Sequence, residues 1–351
     1  MSSWRNPSKT RAQHQGYRGR GGRADFTRAS QNQDGQPRNI DNRHFATIAS
    51  VSRSSGVEKD GDALKDFKTQ EEYREFIQGK LDSYWKRSDS TTEDVKENLL
   101  ILFRKLREGI VASKRNDAFT IEVCETSLYL ATLFNNTRQI NSISGYFLLN
   151  PSESTTELSL QPKCSTCALV IALINQLILG HPSQTSYRKS IHSIPPSLLQ
   201  SIPGVHRWIT NLSSSLYSNN FCQIEKLTRR SSLDLLFDEL LPELLSVKFN
   251  DLSISLHPID SNSDLARKAF YHAVDILRIK ARDSAWRIIR TSYRELACNT
   301  ESETRNWLTR SLSLDVRTED SCTLDTWLEE KRVAGHIRPK EGVDGRWIVC
   351  R

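Results

Sequence analysis

Cys164-Ser165-Thr166-Cys167 is the spacing in this chain that comes nearest to a reactive dithiol or half of a metal site. A structural zinc takes four nitrogen or sulfur ligands. The nearest imidazoles, His181 and His192, stand beyond the apolar run 168–179. A thioredoxin-type pair needs a βαβ setting, which the surrounding pattern lacks. The two cysteines therefore read as ordinary thiols at a helix start, and no metal or other cofactor is expected. His181 and His257 each precede proline and mark loops, His272 falls on the polar part of a helix, and His206 reads as partly buried. No histidine, cysteine, serine and aspartate assemble as a nucleophile with its base. No glycine-rich loop lies between a strand and a helix to cradle phosphate, and no HExxH signature occurs. The acidic pairs Glu71-Glu72 and Glu329-Glu330 read as solvated helix faces. No motif supports an enzyme.

Binding chemistry is better represented. The chain carries 49 Lys and Arg against 42 Asp and Glu, a net charge of +7. Residues 1–45 hold eight Arg and one Lys against three Asp, or +6, which leaves the other residues near +1. Within this stretch, Gly16-Tyr17-Arg18-Gly19-Arg20-Gly21-Gly22-Arg23 is a short arginine–glycine tract. Arg18, Arg20 and Arg23 offer charge to phosphates and flat faces to bases, while glycine lets the backbone follow an irregular RNA. A basic tail that only solubilises or addresses the chain has the same composition. Lys331, Arg332, Arg338, Lys340 and Arg346 form a second cationic group near the C-terminus. A solvated helix face is the plainer account of that group.

The elements that must carry these residues are mostly helices. Residues 1–60 are rich in Ser, Gln, Asn, Gly and Arg and read as disordered, because they bury too little apolar surface to offset ordering entropy. A helical-repeat region is expected over 63–256. Thr69-Gln70-Glu71-Glu72 has the capping-box pattern, followed by an apolar stripe through Tyr73, Phe76, Ile77, Leu81, Tyr84 and Trp85. Further stripes run from Val95 to Ile110, from Ala118 to Phe134 and from Arg138 to Leu149. Residues 151–163 read as a loop. Cys167 to Leu179 is apolar all round, which places it in the middle of a helical stack, and it is too short to span a bilayer. No membrane partner and no secretory leader are expected. Four prolines make 182–203 a linker or a broken turn of helix, and Asn219-Asn220 suits a tight turn between Val205–Tyr217 and the helix that opens at Phe221. Leu233–Phe249 reads as a helix kinked at Pro242, with a short strand over Val247–Leu256.

A C-terminal domain is expected over 264–351. Ala266 to Leu296 reads as one long helix with its apolar stripe through Phe270, Val274, Leu277, Ala281, Ala285 and Ile288, widened by Trp286, Ile289, Tyr293 and Leu296. Arg278, Arg282, Arg287, Arg290 and Arg294 are expected largely off that stripe. Glu303–Leu312 and Thr323–Ala334 are shorter helices, with Trp307, Leu308, Trp327, Leu328 and Val333 inward and Gly335 closing the second. Segments 336–339 and 346–349 flank Gly342-Val343-Asp344-Gly345, where Asp-Gly signals a hairpin. Three helices followed by a hairpin outline a winged helix. The fold class is therefore mainly α: stacked helical hairpins, then a winged helix with a short β-hairpin.

In this arrangement the chain resembles the PCI superfamily, whose members place a helical-repeat segment ahead of a winged helix. The likeness covers about residues 63–351 in architecture. It is carried by residues in Ser215–Phe221, in the long helix from Phe270-Tyr271 to Leu296 with Ala285-Trp286 and Ser292-Tyr293-Arg294-Glu295-Leu296, and in Trp307-Leu308 to Leu314 and Leu324 to Trp327-Leu328. It points to the small-subunit branch shared by the proteasome lid, the signalosome and translation initiation factor three. The resemblance implies a non-catalytic scaffold whose partners are other PCI-domain or complex subunits, in cytoplasm or nucleus. Trp347, near the chain end, and Ile348 are the candidates for the protein interface, since Trp anchors are common hot spots, with a core position for Trp347 as the alternative. A second branch, the Sac-three/GANP/Thp type of messenger-RNA export, fits the basic tail and implies an RNA or DNA partner. The absence of an extended helix after the hairpin also departs from the first branch.

Overall fold

The computed structural model describes residues 42–51, 63–86, 93–148, 165–196, 199, 202–246, 260–299, 302–314 and 323–350. In chain order the elements are α1 (Asn42–Thr47), α2 (Phe67–Lys86), α3 (Glu93–Ser113), α4 (Ala118–Leu133), α5 (Thr137–Leu148), α6 (Thr166–Gly180), α7 (Thr185–Ser193), α8 (Pro203–Tyr217), α9 (Phe221–Leu227), α10 (Arg230–Ser246), α11 (Asp260–Ser292), β1 (Glu295–Ala297), α12 (Glu303–Ser311), α13 (Leu324–Val333), β2 (Ile337–Pro339) and β3 (Arg346–Val349). The architecture is mainly helical with one small antiparallel sheet. The arginine–glycine tract, loop 151–163, Cys164 and the expected strand over 247–256 lie outside the described residues.

Short polar side chains set many of the helix starts, each by accepting from an otherwise free backbone N–H. Asp117 does so for α4, Ser165 for α6, Asn220 for α9, Ser302 for α12 and Thr323 for α13. Asp66 accepts from the Thr69 N–H at 2.9 Å, so α2 starts a turn earlier than the Thr69–Glu72 pattern implies. The carboxylate is the better acceptor at this end, where the helix dipole also favours negative charge. Between α8 and α9, Asn219 takes a positive φ of 53°, the left-handed turn that its short amide tolerates.

α2 to α6 pack in sequence order, each against the next. α4 and α6 are buried around most of their circumference, and α11 lies across both. The alanines at 266, 269, 273 and 281 let α11 approach closely while Phe270, Val274 and Leu277 fill the space between. A second apolar cluster forms from Ala285, Trp286 and Ile289 of α11 with Leu296, Leu308, Leu312, Leu324, Trp327, Leu328, Ile337 and Val349. One helix thus supplies both cores. Trp286 and Trp327 meet edge to face at 4.8 Å, a geometry that adds about 0.5–1.5 kcal/mol beyond simple burial.

The ends of α11 and the neighbouring turns are tied by cations that donate to backbone carbonyls. Arg278 is 3% exposed and donates to Thr228 O at 3.1 Å and Ser313 O at 2.8 Å. Arg282 donates to Leu312 O at 2.8 Å and to Ser313 O. These carbonyls lie at the C-terminal, negative end of α12, where cations belong. Lys280 closes the end of α6 through Ile178 O at 2.7 Å, and Arg290 holds Cys350 O at 2.8 Å.

Several expectations need correction. The long helix does not reach Leu296. It stops at Ser292, and Glu295–Ala297 pairs with β3 instead, giving strand order β1-β3-β2. Without that partner β3 would be an open edge, and the Val349 N–H finds Arg294 O at 2.9 Å. Residues 185–193 form a helix with Tyr187 buried, because the prolines of that stretch flank the segment and leave its interior free. Arg278 lies inside the core. Trp85, Ile288, Tyr293 and Val333 are exposed, Val333 by 79%, since each helix buries a narrower stripe than its apolar content allows.

Replacing Arg278 with alanine takes the Arg278 donor from the Thr228 carbonyl, leaves Ser313 O to Arg282, and opens a cavity. The expected cost is about 3 kcal/mol in urea denaturation, with Arg278→Lys recovering only part of it. An unchanged midpoint for Arg278→Ala would remove this arginine from the stability account.

Candidate interaction surface

The residues named from sequence as cationic contacts converge on α13, β2 and β3, but most are already engaged. Lys340 and Arg346 both grip Glu295 on β1, at 3.0 and 3.2 Å. The hydrogen bond from Lys340, then the one from Arg346, hold the Glu295 carboxyl below the usual carboxylate range. Arg332 pairs with Glu329 one turn back. The Lys331 ammonium sits 5.3 Å over the Trp327 ring. Arg338 is exposed on β2 with no ion pair among the described residues. α13 also exposes Asp325, Glu329 and Glu330, with Asp325 held by Arg305. This face carries interleaved charges of both signs, which gives little net field to draw in a phosphate backbone.

Trp347 is not the free anchor expected of it. It lies in β3, the middle strand, paired with Leu296 on one side and Pro339 on the other. It is half-buried and packs against the second core, and Ile348 is likewise half-buried. The strand edges are short. On β2 the groups that face β3 belong to the even-numbered residues, since Lys340 N–H donates to Arg346 O and His336 O accepts from Cys350 N–H. Pro339 therefore falls at an outward position and offers no donor there, which blunts the edge against strand addition. On β1 the Ala297 carbonyl is taken by the Ser302 hydroxyl at 2.8 Å. The apolar groups open to a partner are Val333, Val343 (40% exposed) and Tyr293, whose ring packs at 5.5 Å against half-buried Trp307. Sequence reasoning had turned Val333 and Tyr293 inward. The signal it missed in Val333 is its place in the last turn before the positive-φ Gly335, where the helix leaves the core.

Two thiols and one histidine–serine pair are held within the fold. Cys167 is fully buried and burial pushes its thiol far up, while Cys124 is pushed up to about 12 by the same cause. Neither is a thiolate nucleophile at neutral pH. Among the described residues no three His, Cys, Asp or Glu side chains come together as a metal site. The Nε2 of His181 lies 2.8 Å from the Ser284 hydroxyl, and Arg287 donates to that same oxygen at 3.0 Å. Burial, then Lys280 and Arg287, lower the His181 pKa. The pair joins the end of α6 to α11, and among the described residues no carboxylate holds the imidazole to complete a triad. An open cleft of about 530 Å³ between α7 and α8 is lined by Ile191, Ile194, Leu199 and Pro203, with His192, His206 and Arg207 among its polar residues. No helix among the described residues is long and apolar enough to cross a membrane.

No family model, no curated protein and no solved structure matches this chain.

His336 gives the surface a pH dependence. The Trp286 indole N–H donates to His336 Nδ1 at 3.4 Å, which requires a neutral imidazole. Burial first, then Arg290 and Lys331, lower its pKa below the ordinary 6.5. The folded state therefore binds fewer protons than the unfolded state. This stability is present at and above pH 7 and is lost as pH falls below 6.5 toward the folded value. His181 and His272 are shifted the same way. The expected result is a melting temperature that drops between pH 7 and pH 5.5, with a smaller drop in His336→Gln. Identical slopes in the two proteins would contradict the assignment.

Proposed function

We propose that this chain is a non-catalytic scaffold of the PCI type, in which a helical-repeat body carries a winged helix that meets other complex subunits. The order helix, strand, helix, helix, hairpin over α11 to β3 supports the winged-helix reading, with β1 pairing across the hairpin's second strand. α11 running unbroken through both apolar cores supports a rigid join between body and wing. The observation that carries a protein partner over a nucleic acid is the neutralisation of the wing. Lys340 and Arg346 share Glu295, Arg332 holds Glu329, and α13 adds Asp325 and Glu330. Interfaces of this kind rest on a few exposed apolar anchors within a mixed polar rim. Val333 and Val343 take the role first given to Trp347 and Ile348, which are more deeply set.

The alternative is an RNA- or DNA-binding PCI protein of the messenger-RNA export type. Its support is the tail, where Arg18, Arg20 and Arg23 belong to a segment of charge +6. Arg332, Lys340 and Arg346 add little to it while their carboxylate partners remain in place, which leaves Lys331 and Arg338 as the cations of the wing without a carboxylate partner among the described residues.

Two charge variants of the full chain separate these readings. For the scaffold, Lys331→Glu with Arg338→Glu leaves affinity for a single-stranded RNA 20-mer within about twofold in fluorescence anisotropy, because only a cation that touches phosphate adds to both affinity and salt slope. Val333→Glu releases the chain from its native complex on size exclusion while its melting temperature stays unchanged. A tenfold loss of RNA affinity in the first variant, with an intact complex in the second, would favour the nucleic-acid reading.

A further inference from the structure

Arg229-Arg230-Ser231-Ser232-Leu233 contains the only two consecutive arginines in the chain. It spans the turn between α9 and α10 and the first turn of α10. Two guanidinium groups three and two residues before a serine, with an apolar residue after it, make the charge pattern by which basic-directed protein kinases choose substrates. We propose that Ser232 is a phosphorylation site for a serine kinase of this class.

The site lies at the surface, and one turn must open to present it. Ser231 is exposed and Ser232 half-buried, and the side chains of Arg229 and Arg230 are 48% and 44% exposed. Arg229, in the turn, is held by Glu225 of α9, and Arg230 by Asp275 on α11. The Arg230–Asp275 pair is exposed on both sides and worth little, so a kinase's acidic groups can displace that carboxylate. Glu225 is buried and holds Arg229 through two hydrogen bonds, which leaves a kinase the exposed edge of that guanidinium. The first-turn N–H groups of Ser232 and Leu233 share the Arg229 carbonyl. The Ser232 hydroxyl donates to Lys226 O at 3.0 Å. Leu233 is fully buried, so a kinase that reads it must first open this one turn. Opening at a helix end is the least costly place for that.

In the transfer, Ser232 Oγ attacks the γ-phosphorus of a nucleoside triphosphate. The new oxygen–phosphorus bond forms as the bond to the β,γ-bridging oxygen breaks. The nucleoside diphosphate leaves, and the hydroxyl proton passes to the kinase's carboxylate base. The resulting phosphate sits at the positive end of α10 beside two arginines, where its charge is favoured. It competes with Glu225 and Asp275 for those arginines, in the turn whose Thr228 carbonyl is held by Arg278.

The test treats the folded full chain with the catalytic subunit of cyclic-AMP-dependent protein kinase and magnesium ATP, then maps phosphate by peptide mass spectrometry. Phosphate on Ser232 is expected, absent in Ser232→Ala, retained in Ser232→Thr, and slowed at least tenfold in Arg229→Gln with Arg230→Gln. Phosphate confined to other serines, Ser231 included, or reaching Ser232 only in urea-unfolded chain, would overturn the proposal.

Discussion

A single buried guanidinium organises the middle of this protein. Arg278 lies within the apolar face of α11 and donates to carbonyls on two different turns, Thr228 before α10 and Ser313 after α12. A buried charge is tolerated only where its donors are satisfied. Here the acceptors are the ends of elements from both halves of the fold, so the helical body and the C-terminal helices cannot part without exposing that charge. Ser313 has a positive φ of 50°, a conformation that a serine adopts at some cost and that turns its carbonyl toward Arg278 and Arg282. The short helix α9 lies against α8, α11 and α12, and its Phe221 touches both apolar clusters, so packing and hydrogen bonding join the same regions.

The same economy governs the charges outside. Many of the cations along α11 and the wing are turned onto the protein itself. Arg278, Arg282, Lys280 and Arg290 hold backbone carbonyls, and Lys340, Arg346 and Arg332 hold carboxylates. The pairs on the surface contribute little stability individually, but they cancel the field that long-range attraction of a polyanion requires. What this surface presents is a few exposed apolar side chains and charge of both signs, and this is the support for the proposed protein partner.

Much of the helical order was legible in the sequence, because apolar periodicity and capping residues act locally. α6 was readable as central from its lack of a polar face, and twelve of its residues are buried. Asn219, Gly335 and Gly345 were readable as turn positions, and all have positive φ. Gly345 also needs its bare Cα, because a Cβ there would lie 2.5 Å from the Asn299 side chain. The failures share a cause, which is that a long-range partner decided the outcome. Residues 295–297 have helical surroundings but become a strand because β3 is present. Arg278 falls on the Val274–Ala285 stripe, which was a visible sign of burial, yet its carbonyl acceptors lie 35 and 50 residues away. Trp347 looked like an interface because it lies near the chain end, and the pairing of β1 with β3 encloses it.

The claim that α11 makes one cooperative body of both cores can be tested by urea unfolding followed at two tryptophans. Trp208 reports the helical body, where it packs at 5.9 Å from Phe270, and Trp286 reports the second core. In variants that retain one or the other as the sole emitter, the account predicts superimposable transitions with a common midpoint and slope. Two separated transitions, with Trp286 released while Trp208 stays folded, would show that the C-terminal region is an independent unit and would contradict it.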